Sequence, residues 1–301
     1  VTPRPVLVGL EPGAKGALQA LSPAGVSGGR LARLCGFPAP EFLCAFDLTN
    51  LHDESGHPRS DDERRAVGLL ARYRGRRLVA LGRRVQRALR LGEIRWKWSV
   101  VEGAVAAGAP HPSGKNRFWN EPENVVEAQA FFRGLHRPCV QVEGPDGSGK
   151  SHLVRELSAS LGLGIVGTQG PQTTWEECVR RIDARVAPGI VCDRSSGLVS
   201  ELVYGPVLRG SCCAPETLFW DKLYSLRGVV TFVYCRTRRL RPTFRADEDR
   251  DFADQIMRNE KALAERYDVV MHRLERDAGA RVVRYDWEHD NVAEVARTCV
   301  E

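Results

Sequence analysis

The run Gly144-Pro145-Asp146-Gly147-Ser148-Gly149-Lys150-Ser151 has the residue types and spacing of a phosphate-binding loop: a glycine, four residues, then Gly-Lys-Ser. The chemistry follows from the residues. Gly144, Gly147 and Gly149, with Ser148 between the last two, let backbone N–H groups turn toward phosphate oxygens, and a helix N-terminus adds partial positive charge. Lys150 has the length and charge to reach β- and γ-phosphates. The Ser151 hydroxyl is a hard oxygen suited to Mg²⁺. The expected cofactors are therefore ATP and Mg²⁺. Taken alone, the loop implies nucleotide binding and leaves the reaction open.

Other chemistry-bearing residues are more diffuse. Nine cysteines occur without a CxxC pair. An odd, scattered set argues against a zinc site or a disulfide scaffold and leaves buried, reduced thiols as the expectation. The formal net charge is +6, and Lys and Arg together number 44, mostly arginine. The stretch RRLVALGRRVQRALRLGEIR, residues 76–95, concentrates arginine. It reads as a solvated helix face or as a contact surface for a phosphate backbone.

These groups need elements to hold them. Length 301 suggests about two domains, and 43% hydrophobic with 27% charged residues is ordinary for a globular chain. No apolar run approaches the roughly 20 residues that cross a bilayer, and the N-terminus lacks a signal-peptide pattern, so a cytoplasmic protein is expected. The expected boundary lies at HRPCVQVEG, giving domains 1–137 and 138–301.

In the second domain, apolar strands at 139–143, 189–193, 229–235 and 280–286 alternate with helices at 151–161, 173–186, 215–226 and 252–275. Leu153, Val154, Leu157 and Leu161 share one face of the helix after the loop. Near-continuous apolar strands separated by helices predict a parallel sheet covered on both faces. The first domain also mixes strands, at 5–10, within 42–51 and at 76–82, with helices at 28–36, 83–92 and 125–135. Residues 100–114 run from apolar sequence into a polar loop. The predicted class is α/β in two separate units.

The combination of VEGPDGSGKS with VCDRSSGLVSELVYGPVLRG resembles the thymidylate-kinase-like nucleotide kinases, phage-encoded members in particular. The resemblance covers 140–301. It implies that Asp193 and Arg194 end the strand beside the loop, where Asp193 can hold Mg²⁺ through water and Arg194 can neutralise phosphate charge. Asp146 matches a loop carboxylate that lies near the acceptor, as hydrogen-bond acceptor or base. RTRRLRPTFR, residues 236–245, stands where such kinases carry an arginine lid. Arg236, Arg238, Arg239, Arg241 and Arg245 are its candidates for triphosphate, and Arg209 is a candidate for an acceptor phosphate.

The first half resembles the uracil-DNA glycosylase superfamily, through VLVGLEPGAKG at 6–16, LTNL at 48–51, LVALGRRVQRAL at 78–89 and PHPSGKNRFWN at 110–120. The resemblance implies that His111 stabilises charge on a pyrimidine oxygen and that the Asn50 amide pairs with the base. Glu11 stands where an Asp or Asn handles the attacking water. The extra methylene of Glu11 displaces its carboxylate, and a misplacement near 1 Å costs on the order of 10²-fold, so base binding without efficient excision is expected.

Together the halves imply an ATP-dependent kinase for a pyrimidine deoxynucleotide. The acceptor is expected to be a 5-hydroxymethyluracil-type nucleotide in phage DNA, flipped and held by the first domain. A free deoxynucleoside monophosphate is the alternative acceptor. A glycosylase or base-binding module with an accessory ATPase domain, and a nucleotide-binding regulator without turnover, are the readings from other classes.

Overall fold

The computed structural model describes residues 3–10, 21–23, 25–52, 58–92, 95–113, 115–167, 174–183, 185–193, 197–236 and 250–300. The chain divides into two compact units, Pro3–Arg137 and Pro138–Glu301. Of the candidate site residues, Glu11, Arg194, Arg241 and Arg245 lie outside the described residues, as do Arg238 and Arg239.

The first unit contains β1 (Val6–Gly9), α1 (Val26–Cys35), α2 (Ala39–Ala45), β2 (Asp47–Asn50), α3 (Asp62–Arg72), β3 (Arg77–Leu81), α4 (Arg83–Ala88), β4 (Trp98–Val101), β5 (Ala104–Ala109) and α5 (Pro122–Gly134). Its sheet runs β2-β1-β3-β5-β4. The first four strands are parallel and β4 pairs antiparallel with β5. Every residue of β1, β3 and β5 is buried, as an apolar strand covered on both faces must be. Val6, Val8, Leu78 and Ala80 form one core layer with Leu69 and Leu70 of α3 and Val85 of α4.

Residues 100–114 differ from the expectation of apolar sequence running into a loop. They contain a hairpin, because Glu102 and Gly103 adopt φ of 42° and 90°. Two successive left-handed residues make the tight turn that matches strand twist.

The second unit contains β6 (Cys139–Glu143), α6 (Lys150–Leu161), β7 (Gly164–Val166), α7 (Trp175–Asp183), β8 (Ile190–Asp193), α8 (Leu198–Tyr204), α9 (Glu216–Leu226), β9 (Thr231–Cys235), α10 (Arg250–Arg258), α11 (Glu260–Arg276), β10 (Arg281–Tyr285) and α12 (Val292–Val300). Its sheet is parallel throughout, in the order β10-β9-β6-β8-β7. Val140, Val142, Val191 and Val233 pack with Leu153, Val154 and Leu157 of α6 and with Val295 of α12. The leucines expected on one face of α6 are therefore those that seat it on the sheet.

The single helix expected over 252–275 is broken at Asn259. Asn259 has φ of −106° and ψ of 11°, outside helical values, and its side chain donates to the Gln255 carbonyl at 2.8 Å. β7 is a short, largely exposed edge strand with no apolar run to announce it.

The arginine-rich segment is divided between internal partners and solvent. Arg76 donates to the Arg4 carbonyl and to Asp47. Arg77 is buried and donates to the carbonyls of Leu135 and Arg137 at 3.0 and 3.2 Å. Arg84 grips Asp62 with Nε and Nη2 at 2.7 and 2.9 Å, and Arg90 pairs with Glu102. Arg83, Arg87, Arg90 and Arg95 are exposed, so the solvent-facing arginines of the segment alternate with arginines turned to internal partners.

Asp62 also meets buried His52 Nε2 at 2.8 Å. The Arg84 bond holds the Asp62 carboxyl below the usual range, against burial. A depressed carboxylate stabilises the fold above its unfolded pKa, and that contribution is lost as pH falls through the folded value. Asp62→Ala strands Arg84 and His52, and is expected to cost about 3–5 kcal/mol. Urea unfolding at pH 7 and at pH 3 measures it, and the mutant's deficit should shrink at the lower pH.

Candidate active site

In the second unit, strand, loop and helix follow one another as β6, residues 144–149 and α6. Gly144, Gly147 and Gly149 have φ of 144°, 79° and 83°. At Gly144 a Cβ would stand 2.6 Å from the Cys235 carbonyl oxygen, so only glycine lets the loop pass the end of β9. α6 begins without a side-chain cap, which leaves its N-terminus suited to an anion.

Sheet register gathers the charged groups. Val142 pairs with Asp193 and Glu143 with Tyr234, so β6, β8 and β9 end together around the loop. Asp193 is 7% exposed and Lys150 is 5% exposed. The Ser151 hydroxyl donates to Asp193 Oδ2 at 2.7 Å. Among the described residues, buried Asp193 Oδ1 has no hydrogen-bond partner, and neither has the Ser148 hydroxyl. An orphaned carboxylate oxygen beside a serine hydroxyl is a donor set that fits Mg²⁺, which takes oxygen ligands and water. Ser151 and Asp193, the two residues expected on the metal side, are brought together by this bond.

Lys150 Nζ donates to the Pro145 carbonyl at 2.6 Å and lies 3.7 Å from Asp146 Oδ1. Burial pulls its pKa down, while Asp193, Cys235 and Glu143 pull it up. Asp146 is held on two sides by one hydroxyl: Tyr204 Oη accepts from the Asp146 N–H at 3.2 Å and donates to Oδ2 at 3.0 Å. This fixes the carboxylate at the mouth of the loop.

Arg209 closes a five-residue π-helical turn, Gly205–Arg209, a rare geometry that recurs at functional sites. Its Nη2 donates to buried Glu201 Oε1 at 2.5 Å. The same oxygen accepts from the Cys213 N–H at 2.7 Å. Arg236 pairs with Asp268, whose carboxylate also accepts from the Tyr234 hydroxyl at 2.9 Å. A cavity of about 380 Å³ opens beside the loop at the ends of β9 and β10, lined by Pro145, Tyr234, Arg236, Asp268, Tyr285 and Asp286 among others. Trp287 lies against Gly149.

The sequence reading missed Glu143, Tyr204, Glu201 and Trp287. A signal for Glu143 was present, since a carboxylate ends an otherwise apolar strand. It is fully buried and acts electrostatically on Lys150. The other three are fixed by contacts that sequence separation hides. Expected buried thiols are found at Cys35, Cys139, Cys178, Cys192, Cys235 and Cys299, whereas Cys44 is exposed and Cys212 and Cys213 are partly so.

In the first unit, β2 and β3 flank β1 on opposite sides. That makes the ends of β1 and β3 a topological switch point, where parallel sheets open a crevice. Asn50 ends β2 in register with Gly9. A Cβ at Gly9 would stand 2.6 Å from Asn50 Oδ1, a buried oxygen with no hydrogen-bond partner among the described residues. His111 follows β5 at the same edge. Gly82, with φ of 96°, makes room for it: a Cβ there would lie 3.1 Å from His111 Cβ.

His111 Nδ1 accepts from the Ser113 N–H at 3.2 Å, so the neutral ring carries its proton on Nε2 as a donor. Burial lowers the His111 pKa, which keeps the ring neutral at pH 7. Asn116 and Trp119 donate to the His111 carbonyl at 3.0 and 2.8 Å, and so brace its backbone. Asn50 and His111 therefore offer an amide and an N–H donor at the carboxyl edge of one sheet.

No protein-family model matches the chain, and no curated protein matches it. Among solved structures, it is similar to the YorR protein of Bacillus subtilis in complex with phosphorylated GDP, at 19% identity over 52% of this chain and 91% of that one, TM-score 0.36. It is also similar to deoxyadenosine kinase from M. mycoides with bound dCTP, at 14% identity over 52% and 96%, TM-score 0.30. NadR protein in complex with NR matches at 12% identity over 99% and 96%, TM-score 0.39. At these identities and scores the site's own geometry, not the likeness, carries the chemistry.

Proposed function

We propose that the chain is a kinase that moves the γ-phosphoryl group of ATP to a hydroxyl of a pyrimidine deoxynucleotide. We further propose that the acceptor is a 5-hydroxymethyluracil-type nucleotide in phage DNA, a step in thymine hypermodification. One observation carries the reaction class: the Ser151–Asp193 hydrogen bond, with Asp193 Oδ1 left over, at the mouth of a glycine loop that holds buried Lys150. In this reading the acceptor oxygen bonds to the γ-phosphorus while the bond to the bridging oxygen breaks. ADP leaves with that electron pair, and the hydroxyl proton passes to Asp146 and on to water. Lys150 and an arginine, Arg194 or one of 236–245, balance the charge that spreads over the phosphate oxygens. Mg²⁺, when bound through Ser151 and Asp193, supplies further positive charge to the same oxygens.

The choice of DNA is supported by the first unit. Its His111 Nε2–H and Asn50 amide are suited to the edge of an extruded pyrimidine. The competing acceptor, a free deoxynucleoside monophosphate, is the better reading if the Asp146 carboxylate, which Tyr204 holds in place, serves to accept a hydrogen bond from a free sugar hydroxyl. γ-Labelled ATP incubated with free deoxynucleotides, or with duplex DNA containing T, U or 5-hydroxymethyluracil, decides by which pool takes the label. His111→Ala and Asn50→Ala are expected to lower labelling of modified DNA by about tenfold or more each. ATP hydrolysis without DNA should be unchanged. Abasic sites formed in uracil-containing duplex, revealed by alkaline cleavage, would instead support the glycosylase reading.

A further inference from the structure

At the carboxyl edge of the first sheet, two stretches far apart in sequence lie side by side. One is Arg95-Trp96-Lys97, before β4. The other is Lys115 to Trp119, after His111. The Arg95 guanidinium lies over the Phe118 ring, 4.6 Å from its centroid. Trp96 and Phe118 have centroids 6.3 Å apart. Arg95, Lys97, Lys115 and Arg117 are all exposed. Among the described residues no ion pair engages any of these four cations, although Glu121 and Glu123 follow in the chain at the start of α5.

The backbone beneath this patch is held under strain. Arg95 bridges to Gly108, and the Trp96 N–H donates to the Gly108 carbonyl at 3.0 Å, which ties the segment to β5. Trp96 nonetheless adopts φ of 61°, a left-handed conformation that a bulky residue rarely takes. Its indole N–H is buried and has no hydrogen-bond partner among the described residues. Packing against Phe131 and Phe132 holds the ring there. Strain of this kind persists only where the surroundings over-determine it. Here the result is a planar cation laid on an aromatic ring with its outer side facing solvent.

We propose that Arg95, Phe118, Lys97, Lys115 and Arg117 form a surface for unpaired polynucleotide. A base stacks on the outer face of the Arg95 guanidinium, and the three other cations take neighbouring phosphates. Stacking on planar side chains within a cationic surface is how single strands are held without sequence readout. The surface is continuous with His111, through the bonds of Asn116 and Trp119 to the His111 carbonyl. It therefore deepens the proposed function: it rests on the reading of this unit as the part that handles the polynucleotide. It would hold the strand that flanks an extruded base.

The test uses the full chain without ATP, so its outcome is separate from phosphoryl transfer. Fluorescence anisotropy follows labelled oligothymidylate and oligouridylate of 15 nucleotides, with a matching blunt duplex and inorganic polyphosphate as competitors. Single strands are expected to bind more tightly than duplex or polyphosphate. The log–log salt slope should be about −2 to −3, near −0.7 per phosphate neutralised. Arg95→Lys keeps the charge and removes the plane, and should weaken strand binding about fivefold or more. Lys97→Ala, Lys115→Ala and Arg117→Ala combined should flatten the slope by about 2. Unchanged thermal melting confirms that these exposed substitutions leave the fold intact.

Comparable binding of the thymidylate and uridylate strands supports the surface as sugar-blind. A preference for one identifies DNA or RNA as the source. No binding at low salt, duplex or polyphosphate bound as tightly as single strands, or an Arg95→Lys protein that binds like wild type overturns the proposal. Label transferred to free nucleotides alongside absent strand binding would sink this surface and leave the kinase standing. Strand binding without any transfer would do the reverse.

Discussion

Lys150→Ala is expected to lower phosphoryl transfer by roughly 10²–10³-fold, the effect of removing one preorganised charge from a transition state. The fold should survive. Lys150 is buried, but its Nζ bonds to the loop's own Pro145 carbonyl and not to the apolar core. A desolvated ammonium is costly to keep in place, as its lowered pKa indicates. The alanine protein should therefore melt within a few degrees of wild type. Single-turnover transfer from labelled ATP, beside a thermal melt, gives both numbers. A folded variant with near-normal turnover would remove the kinase assignment.

Asp193→Asn is expected to reduce single-turnover transfer by about 10²-fold while ATP affinity changes by less than about threefold. The side chain keeps its shape. However, one oxygen becomes an NH₂ donor, so the residue can accept from Ser151 or offer an oxygen to a cation at the second position, but not both. Half-saturating Mg²⁺ should rise in parallel. ATP binding and transfer are measured separately. Equal losses in both would make Asp193 an ordinary ground-state ligand.

These two residues differ in how they could be found. Lys150 is legible locally. Phosphate binding needs a glycine turn, a lysine and a helix start within eight consecutive residues, so the spacing itself encodes the chemistry. Asp193 is 43 residues further on, and the resemblance to nucleotide kinases was needed to single it out. Register explains why it belongs there: β8 lies beside β6, and Val142 pairs with Asp193. Asp146 was legible in the loop, but its orientation was not, because Tyr204 that holds it is 58 positions away.

In the first unit the sequence motifs marked Asn50 and His111. They did not show that Gly9 and Gly82 are the residues that make room for them. In the arginine-rich stretch composition left a solvated helix face and a phosphate-contact surface both open, and neither reading foretold that Arg77 is buried against the carbonyls of Leu135 and Arg137. Charge is a property of the residue; exposure is a property of its neighbours.

By itself the sequence determined the α/β class, most strands and helices, and the loop, because apolar periodicity and glycine spacing act over a few residues. It did not reveal the β4–β5 turn, where Glu102, beside the turn former Gly103, takes a left-handed φ unusual for its type. It also did not reveal the break at Asn259, where φ of −106° and ψ of 11° interrupt the helix. Strand order, the Ser151–Asp193 and Tyr204–Asp146 bonds, and the stacking of Arg95 on Phe118 were decided only by tertiary structure. Each joins groups whose separation along the chain is unrelated to their distance in space, and packing of the sheet, not local preference, brings them within reach.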